Sequence, residues 1–528
     1  MTGKDDRTPL ILAWAWVLGL TLFRLIYVRF FPLAPDEANY WQWSRYLDWG
    51  YHDHPPMIAW TIRLATEWFG HTELAVRLPS VIGMAVAALY LVGMAARWVD
   101  KRAALHTALI TQATLGFNAG ALIAAPDALQ AAAWAGAAYH VARAYESRAR
   151  IQWISGGVWF GIGLLSKYTM LLFAPAVLGY GLFSSLHRRR LAGIWPLAGL
   201  LIGLLVFMPV ILWNAAQNWN SLRHIAHIGG ADHGLAIRWA FFGDYLASQA
   251  GLLSPLLFLL ALMAWAAVIR KAYPAGCWIY PYLAWTSLPV FIGFALLSLH
   301  TRVYGNWPGA GFLTAAVLTA ALYGRKPRHL FAKTGPGPGC RLFPWALGSA
   351  YVMTALVLVH LLFPVLPVPA HMDRTVTELA GWRELGSTIA PMVQTMPTPS
   401  RTFIFGLDYQ MASELAFYTP GKPRTVSINR WSRPNVYDYW WQDENLTGWD
   451  AVGVTFDRAS HEGRLDQVFD RVDPPVRLDI VRRPAWTLTA RAHSEPVQTF
   501  YMYRAYGFRG GLRWAPPKSG DIRGRPGN

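Results

Sequence analysis

The stretch "LILAWAWVLGLTLFRLIYVRFFPLAPDEANYWQWS", residues 10 to 44, passes from hydrocarbon to chemistry within a few residues. Its first part, Leu10 to Phe31, is an apolar run long enough to cross a bilayer core of about 30 Å. The run is too long for the core of a cleaved secretion signal and has no small-residue cleavage pattern, so it reads as a retained first span. Directly after it come the acids Asp36 and Glu37 and the aromatics Tyr40, Trp41 and Trp43. A carboxylate pair at a membrane surface is costly without a task. It reads either as part of a solvated interfacial aromatic belt or as a general base held near a lipid-borne substrate.

Working outward, ten more apolar runs of spanning length follow, near 75–97, 102–124, 128–145, 151–167, 169–186, 191–212, 243–269, 277–299, 309–323 and 343–366. The expected fold is therefore an all-α polytopic membrane protein with about 11 transmembrane helices. Composition agrees: 54% of the 528 residues are hydrophobic and 15% charged, and the mean hydropathy is +0.24, too apolar for a soluble chain of this length. The net charge of +17 does not signal nucleic acid, because 27 of the 47 Lys and Arg precede residue 370, many in short runs between apolar segments.

Those runs carry a direction. The clusters "RWVDKR", "RAYESRAR", "HRRR", "RK" and "GRKPRHLFAK" occupy alternate loops, which the positive-inside bias places in the cytoplasm together with the N-terminus. An odd number of spans then sends the C-terminus to the opposite, non-cytoplasmic side. The opposite loops, 32–74, 125–127, 166–168, 213–242 and 299–308, are richer in polar groups. The long first one holds six of the thirteen acids that precede residue 370: Asp36, Glu37, Asp48, Asp53, Glu67 and Glu73.

Beyond residue 370 the apolar runs shorten to strand length in "RTFIFGL", "AVGVTF" and "VRLDIV", interleaved with the helix-like "ELAGWRELGSTIAPMV". This pattern predicts a transmembrane domain over 1–369, a small extracytoplasmic α/β domain over 370–512 and a Pro- and Gly-rich disordered tail over 513–528. The two cysteines, Cys277 and Cys340, exclude a disulfide framework. In "YHDHPPMIAW", His52 and His54 share a side if the segment is extended. They read as candidate metal ligands or as groups that shape the loop before Pro55-Pro56.

The ordered motifs "PDEANYWQWSRYLDWGYHDHPPMIAW", "TELAVRLPS", "AAPDALQ", "GLLSKYT" and "NWP" resemble bacterial lipid-linked-sugar glycosyltransferases of the GT-C superfamily, which includes protein O-mannosyltransferases and lipid A aminoarabinose transferases. The resemblance covers 1–370 well and the terminal domain loosely. It implies an inverting transfer from a polyprenyl phosphate sugar to a hydroxyl of an envelope lipid, polysaccharide or protein.

Such a displacement needs one base and no general acid, since phosphate leaves as a stable anion. Asp36 is the candidate base, with Glu37 beside it. Asp127 is a second site carboxylate by resemblance and equally a helix cap after Pro126. Lys167 and Arg302 stand on the outer side without a topological role, and suit the departing phosphate or, for the lysine, snorkelling. Asp53, His54, Tyr40, Asn306 and Arg223 complete the expected substrate contacts. Related sequences often carry Glu two residues after the arginine of the "RV..NWP" motif, where this chain has Tyr304, so no metal or sugar contact is assigned to that position. No cofactor is firmly implied, a divalent cation through His52 and His54 being left open.

Two other classes fit a polytopic chain: a transporter or lipid flippase, which predicts charges at mid-membrane and repeat symmetry, and a membrane metalloenzyme built on the histidines.

Overall fold

The structure, a computed structural model, describes residues 7–147, 149–232, 234, 236–273, 276–324, 338–369, 372–458, 463–481 and 496–512. The predicted tail, most of the basic loop "GRKPRHLFAK" and His233 lie outside the described residues. The chain divides into two compact units, one formed by residues 1–29 and 54–358, the other by 30–53 and 359–528.

In the first unit every predicted apolar run falls on helix, because a backbone in hydrocarbon must satisfy its own N–H and C=O groups. Among the described residues five helices are long and apolar enough to cross a membrane: Thr8–Tyr27, Glu73–Trp98, Ile194–Ala216, Ile279–Ser298 and Pro338–Leu362. Several runs are broken. The segment read as one span over 243–269 is two helices, Trp239–Leu253 and Pro255–Ile269, bent by 105°. Ser254 between them has φ 79°, and Pro255, with no N–H to give, starts the second helix while the Ser254 hydroxyl accepts from Leu257 N. The run 102–124 is likewise interrupted at Thr114, between Lys101–Ala113 and Leu115–Leu122.

Small residues let these helices approach. Pro126–Glu146 buries alanines along most of its length and packs on Glu73–Trp98 and Arg150–Ser166, which packs in turn on Ile194–Ala216. At that last crossing Gly157 meets the backbone of Gly199 so closely that a methyl group at Gly157 would overlap the Gly199 carbonyl. Arg24, which could have snorkelled, is only 2% exposed. It instead donates Nη1 to Gln112 Oε1 at 2.6 Å, and Nε and Nη2 to Asn118 Oδ1 at 3.2 and 2.8 Å. A buried cation is tolerated where its donors are filled.

The second unit is an α/β fold that takes in part of the first outer loop. Its strands are β1 (Thr402–Gly406), β2 (Thr425–Ser427), β3 (Asp450–Thr455), β4 (Phe469–Val472), β5 (Val476–Ile480) and β6 (Gln498–Phe508). The sheet runs β2-β1-β3-β6-β4, with β5 also on β6. β1 is parallel to β2 and β3, whereas β6 is antiparallel to β3, β4 and β5. Alternation splits "TFIFG" between two cores: Phe403 and Phe405 join Phe469 and Phe508, while Ile404 joins Met411, Leu415 and Ile389. Helices Trp382–Gln394 and Tyr409–Tyr418 contribute to that second core. Strand β6, which carries Tyr501, Tyr503 and Tyr506 and pairs with three other strands, was not among the sequence-predicted strands.

The helix Pro35–Arg45 belongs to this unit and packs on Tyr409–Tyr418. Trp41 meets Phe417 edge-on at 4.9 Å. Gln42 Nε2 donates to Tyr437 Oη and Thr425 Oγ1 at 3.0 and 3.2 Å, and Arg45 donates to the carbonyls of Lys422 and Pro423.

Gly157→Ala should lower the thermal stability of the detergent-solubilised protein by the equivalent of about 1–3 kcal/mol, the usual cost of overpacking. Gly19→Ala, where nothing lies within 4 Å, should leave the melting temperature unchanged.

Candidate active site

Two polar clusters gather most of the candidate residues, one in each unit.

The first surrounds Asp36. Pro35 opens its helix and Ala34 is the N-cap, placing Asp36 and Glu37 in the first turn, where the helix dipole favours acids. The two carboxylates part company there. Glu37 is fully buried, and its Oε2 accepts from Ala34 N at 2.8 Å, closing the helix entry. Asp36 is exposed. Its Oδ1 accepts from Tyr409 Oη at 3.1 Å and from Gln410 Nε2 at 3.2 Å, while Oδ2 has no hydrogen-bond partner among the described residues.

Asp53 stands at the other end of the same cluster. Its Oδ1 takes Arg433 Nη1 at 2.6 Å, and Arg433 Nη2 donates to Tyr409 Oη at 3.0 Å. The Arg433 guanidinium also lies over the Tyr409 ring, 4.8 Å from its centre. Burial, reinforced by the Asp36 charge, pushes the Tyr409 hydroxyl far above the ordinary phenol range, so it keeps its proton. Burial works against the Arg433 charge, but Asp53 and then Tyr409 outweigh it, and its pKa rises above the usual guanidinium value.

Tyr40 is buried and meets Trp43 edge-on at 5.0 Å. His52 is buried with Nδ1 3.5 Å from Tyr439 Oη. His54, half-buried, is where the chain re-enters the first unit. Among the described residues, no three His, Cys, Asp or Glu are grouped so that they could hold a metal.

The second cluster lies in the first unit. Asp127 sits in the first turn of Pro126–Glu146, but the N-cap is Ala125, so Asp127 is not the cap. Its Oδ1 instead receives Lys167 Nζ at 2.7 Å and Asn306 Nδ2 at 3.1 Å. Lys167 is 6% exposed. It occupies the extended break between Arg150–Ser166 and the turn Tyr168–Leu172, which points it inward and removes the snorkelling reading. Arg302 is exposed and forms no ion pair among the described residues. Arg223, on the short helix Asn220–Ile228, is exposed as well. His227 in that helix pairs with Asp232 at 2.6 Å.

Comparison with known proteins fits this architecture. Residues 53–213 match the family described as dolichyl-phosphate-mannose-protein mannosyltransferase. A lipid A galacturonosyltransferase of Rhizobium johnstonii is 27% identical over 336 residues, covering 62% of this chain and 70% of the relative. An undecaprenyl phosphate-4-amino-4-deoxy-L-arabinose arabinosyl transferase of Pseudomonas aeruginosa is 27% identical over 427 residues, covering 66% and 76%. The crystal structure of ArnT from Cupriavidus metallidurans in the apo state superposes with a TM-score of 0.60 at 16% identity, over 92% of this chain and 97% of that one. The chain is similar to these glycosyltransferases and shares the GT-C fold of ArnT.

Within this GT-C chain, sequence reasoning singled out Asp36, Asp53, Asp127, Lys167 and Asn306, and each proves to sit in a polar cluster. It missed Tyr409, Gln410 and Arg433. The signal for Tyr409 and Gln410 was "LDYQ" following a predicted strand, the position from which open α/β sheets contact ligands, whereas Arg433 lies outside that stretch.

Replacing Asp127 by Ala should destabilise the protein by about 3 kcal/mol, because Lys167 would stay buried without its carboxylate. Adding Lys167→Met should recover most of the loss, read as melting temperature in a double-mutant cycle.

Proposed function

We propose that this chain is a glycosyltransferase that moves a sugar from a polyprenyl phosphate carrier to a hydroxyl of an envelope lipid, with inversion at the anomeric carbon. Two relatives carry the substrate reading in their names, one acting on lipid A and one using an undecaprenyl phosphate sugar. A second form of the C. metallidurans protein is bound to undecaprenyl phosphate. The observation that carries the chemistry is Asp36: an exposed carboxylate with one oxygen filled by two donors and the other open.

In the proposed step Asp36 Oδ2 accepts the acceptor's hydroxyl proton as that oxygen bonds to the anomeric carbon. The bond from that carbon to the phosphate oxygen breaks, and polyprenyl phosphate leaves with the electron pair. Glu37 acts by fixing the turn that presents Asp36. Asp53, His54 and Tyr40 are proposed to shape the sugar pocket. Negative charge grows on the leaving phosphate, so cations are needed there. Lys167 and Arg302 are proposed for that role, the lysine exchanging its bond to Asp127 for the phosphate, with Asn306 and Arg223 as further substrate contacts.

The chain is an integral membrane protein. Its eleven apolar runs are proposed to be eleven passes, with the N-terminus cytoplasmic and the α/β domain over 370–512 on the side where the sugar is transferred. The basic bias of alternate loops supports that orientation.

Asp36→Asn should lower transfer in a purified assay by at least ~10²-fold, the scale of a lost general base, with expression and folding unchanged; near-normal transfer would refute the assignment. A single cysteine introduced at exposed Arg401 should react with an impermeant maleimide in intact spheroplasts. Labelling only after lysis would reverse the proposed orientation.

A further inference from the structure

The helix that carries Asp36 does not by itself orient the carboxylate. Its two bonded partners, Tyr409 and Gln410, come from the α/β fold nearly four hundred residues away in sequence. We propose that Tyr409, Gln410 and Arg433 are positioning residues for the base, which makes the C-terminal α/β fold a working part of the transferase rather than an appended module. The inference rests on the reading of Asp36 as base.

The direction of each hydrogen bond is dictated by chemistry. A guanidinium can only donate, so Arg433 Nη2 fills a lone pair of Tyr409 Oη. The single phenol proton is then left for Asp36 Oδ1. Arg433 is itself anchored, by Nη1 on Asp53 and by its stacking over the Tyr409 ring. A continuous chain therefore runs from Asp53 through Arg433 and Tyr409 to Asp36, and Gln410 adds a second donor to the same Oδ1. With Oδ1 doubly filled the carboxyl group is held in one rotation, and Oδ2 is the oxygen left to accept a proton.

The supports behind these donors are rigid. Tyr409 and Gln410 are the first two residues of the helix Tyr409–Tyr418, and Asp408 caps it by accepting from Met411 N at 2.8 Å. That helix leaves the C-terminal end of β1, which lies between β2 and β3. β1 is thus where the strand order reverses, and at such a point the connections on either side diverge and leave a crevice. A base held this way loses no time in unproductive rotamers, and small misplacement of a reacting group costs rate steeply.

The test uses the full-length protein in detergent or nanodiscs with a polyprenyl phosphate sugar donor, comparing Tyr409→Phe, Arg433→Lys, Arg433→Met and Asp36→Asn. Tyr409→Phe removes one hydroxyl and is expected to lower kcat ~10-fold, with the donor KM within about twofold. Arg433→Lys, which keeps a charge for Asp53 but not the fork, should fall between wild type and Arg433→Met. An unchanged kcat in Tyr409→Phe, alongside an inactive Asp36→Asn, would overturn the positioning role while sparing the base. Losses that track only the folded fraction, with normal kcat per folded molecule, would also overturn it. An active Asp36→Asn would instead remove the base assignment.

Discussion

The demand that a backbone in hydrocarbon satisfy itself governs this protein. It forces the apolar runs into helices, and since lipid offers no hydrophobic drive between helices, close packing must hold them together. The alanines of Pro126–Glu146 and the glycine contact between Gly157 and Gly199 answer that need. The same constraint makes every buried polar group conspicuous. Arg24 is accommodated only because Gln112 and Asn118 fill its donors, and Lys167 only because Asp127 faces it.

Where regular helix stops, polar side chains gather. Lys167 sits in the extended break after Ser166, Asp127 in the first turn after Pro126, and Asn306 in the turn before Gly309–Tyr323. Breaks free backbone and side-chain groups that a continuous span would keep bonded to itself. The acid pair Asp36 and Glu37 shows a related economy. Adjacent in sequence, they point apart in the first turn of one helix, so one carboxylate closes the helix and the other stays open.

Much of this was legible without coordinates. Hydropathy located the helices, the basic loops suggested a direction, and out-of-place charges marked Asp36, Asp127 and Lys167. The strands read from "RTFIFGL", "AVGVTF" and "VRLDIV" are β1, β3 and β5. Less legible were the breaks at Thr114 and Ser254, because a mean hydropathy cannot register a single residue of unusual backbone. Strand β6 was missed because its alternation of Tyr, Met and Arg resembles an amphipathic surface rather than a buried strand.

The sequence by itself determined the solvent, the helical class and the identity of most of the charged groups, since these follow from local composition and spacing. Only the tertiary structure decided which of two neighbouring acids is exposed, that Asp127 pairs with a lysine instead of capping its helix, and that residues 30–53 fold with the C-terminal sheet. Those outcomes depend on partners distant along the chain, 40 residues away for Asp127 and Lys167, 373 for Asp36 and Tyr409, and 380 for Asp53 and Arg433. A hydrogen bond is specified by position in space, and spacing along the chain carries no record of it.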